Sequence, residues 1–519
     1  MISPEYLSEM LGLLQIHKEY TESVYSDIVR RLVKTDFHVS ETAAYQAEIL
    51  QQSGMCYDDI ITRIAEEKNK TRKEIKKIFE NAETEIFDCN DEILTANGIE
   101  PARFKSLSPE MSKMFNAALA NTAKEIINLT GTTAVTSQTA FINSCNLAQM
   151  QIASGAFDYK TAIKNAIISA AKHDVSVIYP SGHVSSLDAA VRRAVLTGFN
   201  TTVIKLQEMR ADEFDVDIME LTAHFGARPT HAEWQGQLVS RSGKNGYLSL
   251  DDIGYGQVDG FMGANCRHDW NIFFEGYSNR MYSDDELLRL KNAEVQYEGE
   301  MIPAYKAIQK QRAMERSVKE SKRELVCINE GLRHTDSKDL SLEFTAEFEK
   351  KAIRLKQREN KLADFCEQTG LTRDRFREAQ FVVKTEKEIA AWTKSVSGKA
   401  AAIFEKRKLP NYKHAVIPDE KLTGYALNIN HPIGKNKAIA FEKYLGYNIN
   451  NKDMLIKEIR TGLQKNVATE RKRTEYGRPF EVQMRIKGAN GKYANVKSGW
   501  QIDENSSIPR LISVYVKED

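Results

Sequence analysis

The chain of 519 residues is too long for one ordinary domain of about 100–200 residues, so we expect about three domains. With 41% hydrophobic and 28% charged residues, the composition is that of a globular protein and excludes a wholly disordered chain. The net charge is only +1, yet residues 411–519 hold 19 basic and 12 acidic side chains. This asymmetry predicts a basic C-terminal domain on a mildly acidic body.

Cysteine usage and hydropathy point to a soluble protein. The six cysteines are scattered without a CxxC pair, so they form no disulfide framework. The first residues lack the basic and apolar segments of a signal peptide. The longest uncharged stretch, residues 126–157, fails as a membrane span because 14 of its 32 residues are Ser, Thr, Asn or Gln. We therefore expect a cytoplasmic site of synthesis and no membrane partner.

Residues 1–156 are predicted to be mostly helical. Apolar side chains recur at three- and four-residue spacing over residues 3–125, as amphipathic helices require. The uncharged stretch that follows is predicted to be a helix that packs either among other helices of the chain or against a second protein.

Residues 157–282 are predicted to form a compact central α+β domain. A long helix is expected at Leu187–Met209. It is followed by three short strands, at Val216–Thr222, Gly236–Ser240 and Trp270–Phe274, which glycine-rich turns separate.

Residues 283–408 are predicted to be a helical arm. Ser283 and Glu286 form a capping-box pattern at the start of a charged helix, which is expected to run nearly unbroken to about Asn329. Two further helices are expected at Leu342–Gln368 and Thr372–Ser397.

Residues 411–519 are predicted to be a separate α+β domain with an antiparallel sheet. Helices are expected at Lys435–Leu445 and Lys452–Val467, and strands at Phe480–Lys487, Tyr493–Ile502 and Arg510–Val516. Asn490-Gly491 between the first two strands is a strong hairpin signal. The predicted fold class is therefore an α+β multidomain protein.

The densest polar cluster of the sequence lies in the central domain and contains His224, His231, Cys266 and His268. Together they supply four nitrogen and sulfur donors, the number and types that a closed tetrahedral zinc site needs. Their spacing differs from that of standard zinc fingers. The cluster predicts a structural zinc ion that would staple a small, loop-rich domain.

Two other interpretations of this cluster stay open. The same side chains suit a buried hydrogen-bond network with Asp212, Arg228 and Trp234. They also suit a catalytic cysteine–histidine pair, although no third, orienting residue stands out. Because the sequence contains no P-loop, no GxSxG and no HExxH motif, residues 1–408 are predicted not to be an enzyme.

Three segments of the central region carry a family resemblance: Ser181–Asn200, Met219–Ser240 and Gly263–Ser278. They include the motif His-Ala-Glu-Trp-Gln-Gly, with Trp234 and Gln235, and the motif Asn-Cys-Arg-His. They closely resemble the minor capsid protein 2 family of tailed phages, which is related to the phage Mu F-type head morphogenesis proteins. In the broader group the second motif ends in Cys-Arg-Cys. Here His268 replaces the last cysteine, and this exchange of zinc-ligand types favours a metal site.

The resemblance implies a low-copy structural component of the virion. The protein would lie in the head interior or at the portal vertex, and it would be incorporated during prohead assembly in the host cytoplasm, before DNA packaging. Its partners would be the portal protein and the major capsid or scaffold protein. The helical residues 1–156 would then be the docking region.

The C-terminal domain carries its own motifs, at Leu422–Asn428, Asn430–Ala438 and Ser498–Trp500. They resemble a small uncharacterised domain that occurs alone in bacteria and attached to phage head or toxin-like proteins. Its candidate functional residues are His431, Lys435, Lys437, Arg473 and Tyr476.

Three interpretations of these C-terminal residues stay open. A histidine among cations suits a nuclease-like site, which would make the domain a toxin-like effector delivered by the virion. The same cations suit binding of packaged DNA without chemistry. In the third interpretation His431-Pro432 shapes a turn and the cations are solvated.

Overall fold

The computed structural model describes residues 11–34, 42–96, 108–154, 156–172, 175–179, 181–263, 265–373 and 395–517. The chain divides into two compact units. One unit contains the residues up to Ala293 together with Val326–Glu343. The other contains Glu294–Leu325 together with the residues from Phe344 onward.

Five helices form most of the first unit: α1 (Leu11–Lys34), α2 (Thr42–Ala96), α3 (Pro109–Ala153), α4 (Tyr159–Lys172) and α5 (Leu187–Glu213). The helix α3 is central among them because it contacts α2, α4 and α5. It begins with the expected chemistry of a helix start. The side chain of Ser108 accepts a hydrogen bond from the backbone N–H of Met111, and a proline follows in the first turn.

The helix α3 carries most of the uncharged stretch and has two different faces. Phe141, Cys145 and Ala148 on its inner face are fully buried. This packing among the chain's own helices confirms the first of the two predicted interpretations. The other face is exposed and carries no charge from residue 126 to the end of the helix. We call its exposed side chains the neutral stripe: Asn128, Val135, Thr139, Asn143, Asn146 and Met150.

The central domain contains an antiparallel sheet of three short strands in the order β4-β3-β5. After a hairpin of β1 (Ser176–Ile178) and β2 (Val184–Ser186), these strands are β3 (Ile218–Leu221), β4 (Leu238–Ser240) and β5 (Trp270–Ile272). They lie within the predicted strands. A one-turn helix, α6 (Pro229–Ala232), connects β3 to β4, and the core contains Trp234, Phe261 and Trp270.

The prediction of a nearly unbroken helix from Ser283 to about Asn329 is wrong. Ser283 and Glu286 form the predicted capping box, but their helix, α7 (Asp284–Lys291), ends after eight residues. A hairpin of β6 (Glu294–Tyr297) and β7 (Glu300–Pro303) follows. Glu298 and Gly299 close it with φ angles of 53° and 90°. Two consecutive positive φ angles produce the tight turn whose twist matches that of paired strands.

Long helices resume after this hairpin: α8 (Ala304–His334), α9 (Lys338–Thr369) and α10 (Val396–Lys406). The predicted helix Leu342–Gln368 lies within α9 and is confirmed. The predicted helix Thr372–Ser397 falls largely on residues 374–394, outside the described residues. In the second unit, Lys351 on α9 donates to Glu324 on α8 over 2.7 Å, and both side chains are nearly fully buried.

The C-terminal domain contains an antiparallel sheet in the order β11-β10-β9-β8. Its strands are β8 (Ala468–Glu470), β9 (Arg478–Lys487), β10 (Tyr493–Ile502) and β11 (Arg510–Val516). The three predicted strands are confirmed. So is the hairpin at Asn490-Gly491, where Lys487 pairs with Tyr493.

Helices pack against this sheet. The two longer helices are α12 (Lys435–Leu445), which contacts β11, and α13 (Lys452–Lys465), which contacts β9. Shorter turns are α11 (Asp419–Lys421), a π-helical turn (Leu422–Ala426) and two 3₁₀ turns (Tyr412–His414 and Ile449–Asn451). Gly462 allows the approach of α13, because a Cβ at this position would lie 2.4 Å from Sδ of Met484.

These elements confirm the predicted fold class, an α+β multidomain protein. Among the helices that the structure describes, none has the length and apolar composition that crossing a bilayer requires.

Candidate functional site

The central domain brings three of the four predicted donor residues together. His231 lies on α6, while Cys266 and His268 lie in the segment that leads into β5. Their three donor atoms lie within 4.8 Å of one another. In the described part of the chain, no other three His, Cys, Asp or Glu side chains converge in this way.

The distances among the three donor atoms are short and similar. Nδ1 of His231 lies 3.3 Å from Nδ1 of His268. Sγ of Cys266 lies 4.0 Å from Nδ1 of His231 and 3.7 Å from Nδ1 of His268. The three atoms therefore form a nearly equilateral triangle.

Hydrogen bonds on the far side of each imidazole determine which nitrogen carries the proton. Nε2 of His231 lies 2.8 Å from the carbonyl oxygen of Asp259, which can only accept, so Nε2 donates. Nε2 of His268 lies 3.3 Å from Oε1 of Gln235. This Oε1 also accepts from the backbone N–H of His224, so Nε2 of His268 donates to it as well. In both neutral rings Nδ1 is therefore left with a lone pair.

Aromatic rings enclose the cluster. The ring centroid of Trp234 lies 4.5 Å from that of His231 and 4.8 Å from that of His268. The ring of His224 stacks on His268 with a centroid distance of 4.4 Å. Both imidazoles of the triangle are buried, and Cys266 is half-buried.

The electrostatic environment favours uncharged imidazoles. Burial lowers the pKa of His231 to about 4. Burial, together with the neighbouring His224 and His231, lowers the pKa of His268 to about 2. Burial also raises the pKa of the Cys266 thiol. Neutral imidazole is the form that binds metal ions.

The other predicted residues of this region lie around the triangle or away from it. Nδ1 of His224 lies 3.2 Å from the carbonyl oxygen of Phe225 rather than within the group of three. Asp212 forms an ion pair with Arg241 over 2.7 Å, and its side chain is 67% exposed. Arg228 precedes α6, and its positive charge contributes to the lowered pKa values of both imidazoles.

Two contributors to the site were not predicted from the sequence. The carbonyl group of Asp259 is a backbone acceptor, which no pattern of side chains reveals. Asn200 on α5 donates from Nδ2 to the carbonyl oxygen of His268 over 3.1 Å and helps to position it. The one signal for the first is the tight glycine-rich loop, in which a Cβ on Gly260 would lie 2.0 Å from the carbonyl oxygen of Gly254.

In the C-terminal domain, His431 shapes the turn before α12. Its Nδ1 accepts hydrogen bonds from the backbone N–H groups of Ile433 and Gly434, at 3.1 and 2.8 Å. The proton of the neutral ring then lies on Nε2, so neither nitrogen has a lone pair available for base catalysis. This geometry favours a structural role for His431 over that of a general base.

One of the predicted cations, Lys437, lies beside the tyrosine that packs on His431. The ring of Tyr425 lies 4.8 Å from that of His431, and Nζ of Lys437 lies 4.7 Å from the centroid of the same tyrosine ring. Nζ of Lys437 also lies 5.4 Å from the ring centroid of Tyr515, and burial lowers its pKa. Lys435 is exposed at the first residue of α12.

The other two predicted residues of this domain follow β8. Arg473 forms an ion pair with Glu504 over 3.1 Å. Tyr476 is 69% exposed in the connection to β9. The structure thus gathers His431 and Lys437 around one tyrosine, while Arg473 and Tyr476 belong to another segment.

Comparison with known proteins gives separate matches for two parts of the chain. The family described as phage minor capsid protein 2 matches residues 2–367. A domain of unknown function (DUF6883) matches residues 408–518. A protein of Lactococcus phage LL-H named "Structural protein" is 21% identical over 279 residues, which are 50% of this chain and 74% of that protein. No solved structure matches the chain.

Proposed function

The chain belongs to the phage minor capsid protein 2 family and is a phage structural protein, and from this premise we propose that it is a minor component of a tailed-phage head at or near the portal vertex. It is incorporated during prohead assembly, before DNA packaging. Its helical region docks on the portal protein and neighbouring capsid or scaffold proteins. The observation that carries the docking proposal is the neutral stripe on α3.

The neutral stripe has the composition of a protein interface. Its six residues recur along one side of α3 from Asn128 to Met150, a length of roughly 33 Å at 1.5 Å per residue. An exposed helix face normally carries charged side chains, whereas the centre of an interface is depleted of them. Val135 and Met150 are 54% and 64% exposed and offer apolar contact area.

Charges placed on the neutral stripe test the docking proposal. The double variant Asn143→Asp with Asn146→Asp is nearly isosteric and puts two carboxylates into the stripe. Burial of unpaired charges in an interface costs about 2–5 kcal/mol, so we expect at least about a tenfold loss of incorporation into particles. The measurement is the copy number per particle, by quantitative mass spectrometry, in a phage that lacks its own copy and is complemented in trans.

The matched control is Asn116→Asp, on an exposed position of the same helix outside the stripe. It should be incorporated like the wild type. Incorporation of the double variant at the wild-type level would contradict docking through this face. Cross-links from α3 in purified proheads should reach the portal protein, and cross-links to the major capsid protein alone would contradict the portal position.

For the C-terminal domain we propose binding of packaged DNA rather than catalysis. Lys435 and Lys437 lie on the first turn of α12, and no carboxylate pairs with either of them in the described residues. Tyr425 and Tyr515 flank Lys437 with aromatic faces, and together these groups suit a phosphate backbone. The alternative is a nuclease-like effector delivered with the virion, in which His431 would be essential.

One set of variants of the full chain separates DNA binding from catalysis. Lys435→Gln with Lys437→Gln should weaken DNA binding uniformly across sequences and reduce the salt slope by about 2. Lys457→Gln, an exposed position on α13, is the control. Cleavage of RNA or DNA by the wild type that disappears in His431→Ala would overturn the binding proposal in favour of the effector.

A further inference from the structure

We propose that His231, Cys266 and His268 bind one zinc ion through Nδ1, Sγ and Nδ1, and that His224 is not a ligand. The ion would bridge α6 to the segment before β5, independently of the role of the chain in the phage head.

The two imidazoles turn the same ring nitrogen, Nδ1, towards each other. Each ring donates its Nε2–H to a carbonyl oxygen, of Asp259 in one case and of the Gln235 amide in the other. Both Nδ1 lone pairs therefore face each other at 3.3 Å. Two lone pairs at this distance repel each other unless a cation lies between them. A metal ion converts this repulsion into two coordinate bonds.

The outer hydrogen bonding of the two imidazoles is typical of metal sites. A metal-binding histidine almost always donates its other N–H to a carboxylate or carbonyl group, which fixes the tautomer and the ring orientation. Both His231 and His268 satisfy this condition. Asn200 further restrains the second of them through its backbone carbonyl.

The distances among the three donor atoms also fit a zinc ion. With Zn–N of about 2.0–2.1 Å, Zn–S of about 2.3 Å and tetrahedral angles, two nitrogens should lie about 3.3 Å apart and a nitrogen and a sulfur about 3.6 Å apart. The distances in the triangle are 3.3, 3.7 and 4.0 Å. Two imidazoles and one thiolate are the ligand types that zinc prefers.

The role of His224 follows from its position. Its ring stacks on His268 and its Nδ1 lies beside its own chain, at the carbonyl oxygen of Phe225. His224 therefore packs over the ring of the proposed ligand His268 and does not itself coordinate the metal ion. The described residues supply no fourth donor to this group, so the fourth position is open to a water molecule or to another donor.

The test uses the full chain purified in the presence of zinc. Elemental analysis after desalting should give one zinc per chain. Replacement by Co²⁺ should give the visible bands of a tetrahedral centre and a thiolate-to-cobalt charge-transfer band. Zinc well below one per chain, together with cobalt spectra that lack the charge-transfer band, would overturn the proposal.

Variants assign the ligands. Cys266→Ser should lose the charge-transfer band, whereas the control Cys366→Ser, on α9, should keep it. His224→Ala should retain one metal per chain, and loss of the metal in this variant would overturn the three-ligand assignment. Gln235→Leu removes the oxygen that accepts from Nε2–H of His268 and from the backbone N–H of His224, and it leaves all three ligands in place. Metal affinity should therefore fall by about 10–100-fold with an unchanged cobalt spectrum.

One further measurement covers the case in which Cys266→Ser fails to fold. In the wild-type chain, alkylation of Cys266 should be at least about tenfold faster after removal of the metal by a chelator, because a metal-bound thiolate is protected. An alkylation rate that does not change with the chelator would overturn the role of Cys266 as a ligand.

Discussion

The central domain and the C-terminal domain are both small α+β structures, but they differ in the length of their strands and in the size of their apolar cores. The C-terminal sheet has two strands of ten residues, and 21 buried apolar side chains form its core in the described residues. The central sheet has strands of three or four residues over a core of 11 such side chains. The donor triangle occurs in the domain with the smaller core.

This difference indicates in which domain a bound metal would contribute most to stability. A small core and short strands supply little stabilisation, and small domains commonly compensate with a metal or disulfide. The C-terminal domain has no such need, because Trp500 and Phe441 are fully buried in a continuous core. We therefore expect the C-terminal domain to depend on apolar packing and the central domain to depend on the donor triangle.

The largest expected effect tests whether the C-terminal domain depends on apolar packing. Trp500 is fully buried and donates from Nε1 to Oγ of Ser498 over 2.9 Å. Trp500→Ala should destabilise the C-terminal sheet by about 4 kcal/mol, because it leaves a large cavity. Hydrogen exchange of the β9, β10 and β11 amides, followed by mass spectrometry in the full chain, measures this loss.

The control for this variant is Ile433→Ala, at a side chain that is 74% exposed, which should change the same amides by less than about 0.5 kcal/mol. The amides of the central sheet should not respond to Trp500→Ala. A loss of protection in both domains would contradict their separate stabilisation.

A smaller effect is expected for a buried histidine outside the triangle. His17 on α1 is 3% exposed, and neither ring nitrogen has a hydrogen-bond partner in the described residues. Burial lowers its pKa from 6.5 to about 4, against the opposing charge of Asp188. Between pH 6.5 and about pH 4, His17 is therefore protonated in the unfolded chain and neutral in the folded chain. The contribution of neutral His17 to the free energy of unfolding is complete above pH 6.5 and is lost as the pH falls towards 4.

At pH 5 this loss should be about 2 kcal/mol, and His17→Leu should remove it. Hydrogen exchange of the α1 amides at pH 7 and pH 5 measures the difference, and His183→Leu, at an exposed position, is the control. An acid sensitivity of α1 that is equal in wild type and His17→Leu would show that another group is responsible.

The parts of the fold that the sequence predicted are those with strong periodicity. In β9, Phe480, Val482, Met484 and Ile486 alternate with more exposed residues, and all four are buried. Such alternation is visible in the sequence because one face of the strand lies on the core. The long helices of the first unit were predictable for the corresponding reason, because the apolar residues of a helix with one buried face recur every three or four positions.

The hairpin of β6 and β7 was not predicted because its local signals are weak. Its strands are four residues long, and charged helical sequence precedes and follows them. Its turn places Glu298 at a positive φ, where hairpin patterns lead one to expect Asn, Asp or Gly. Tertiary contacts stabilise the turn here, because the backbone N–H of Glu298 donates to Oε1 of Gln368 over 2.9 Å and the ring of Tyr297 packs on Phe365.

The candidate site was predictable in its residue types but not in its geometry. Histidine and cysteine donors are recognisable in any sequence. That His231, Cys266 and His268 converge without His224 depends on α6 and on the backbone of Asp259. Spacing along the chain does not contain this information, because 35 residues of loop and strand separate the first donor from the second.

The presence of only one sulfur in the triangle affects how easily this centre would be oxidised in phage particles outside the host cell. A virion leaves the reducing cytoplasm of its host for oxidising surroundings, in which sites with several neighbouring thiols convert to disulfides. The triangle combines one thiol with two imidazoles, so Cys266 has no thiol partner within it. Oxidation of this centre would have to proceed through sulfenic acid on a half-buried sulfur. The arrangement would therefore preserve the central domain during storage outside the cell.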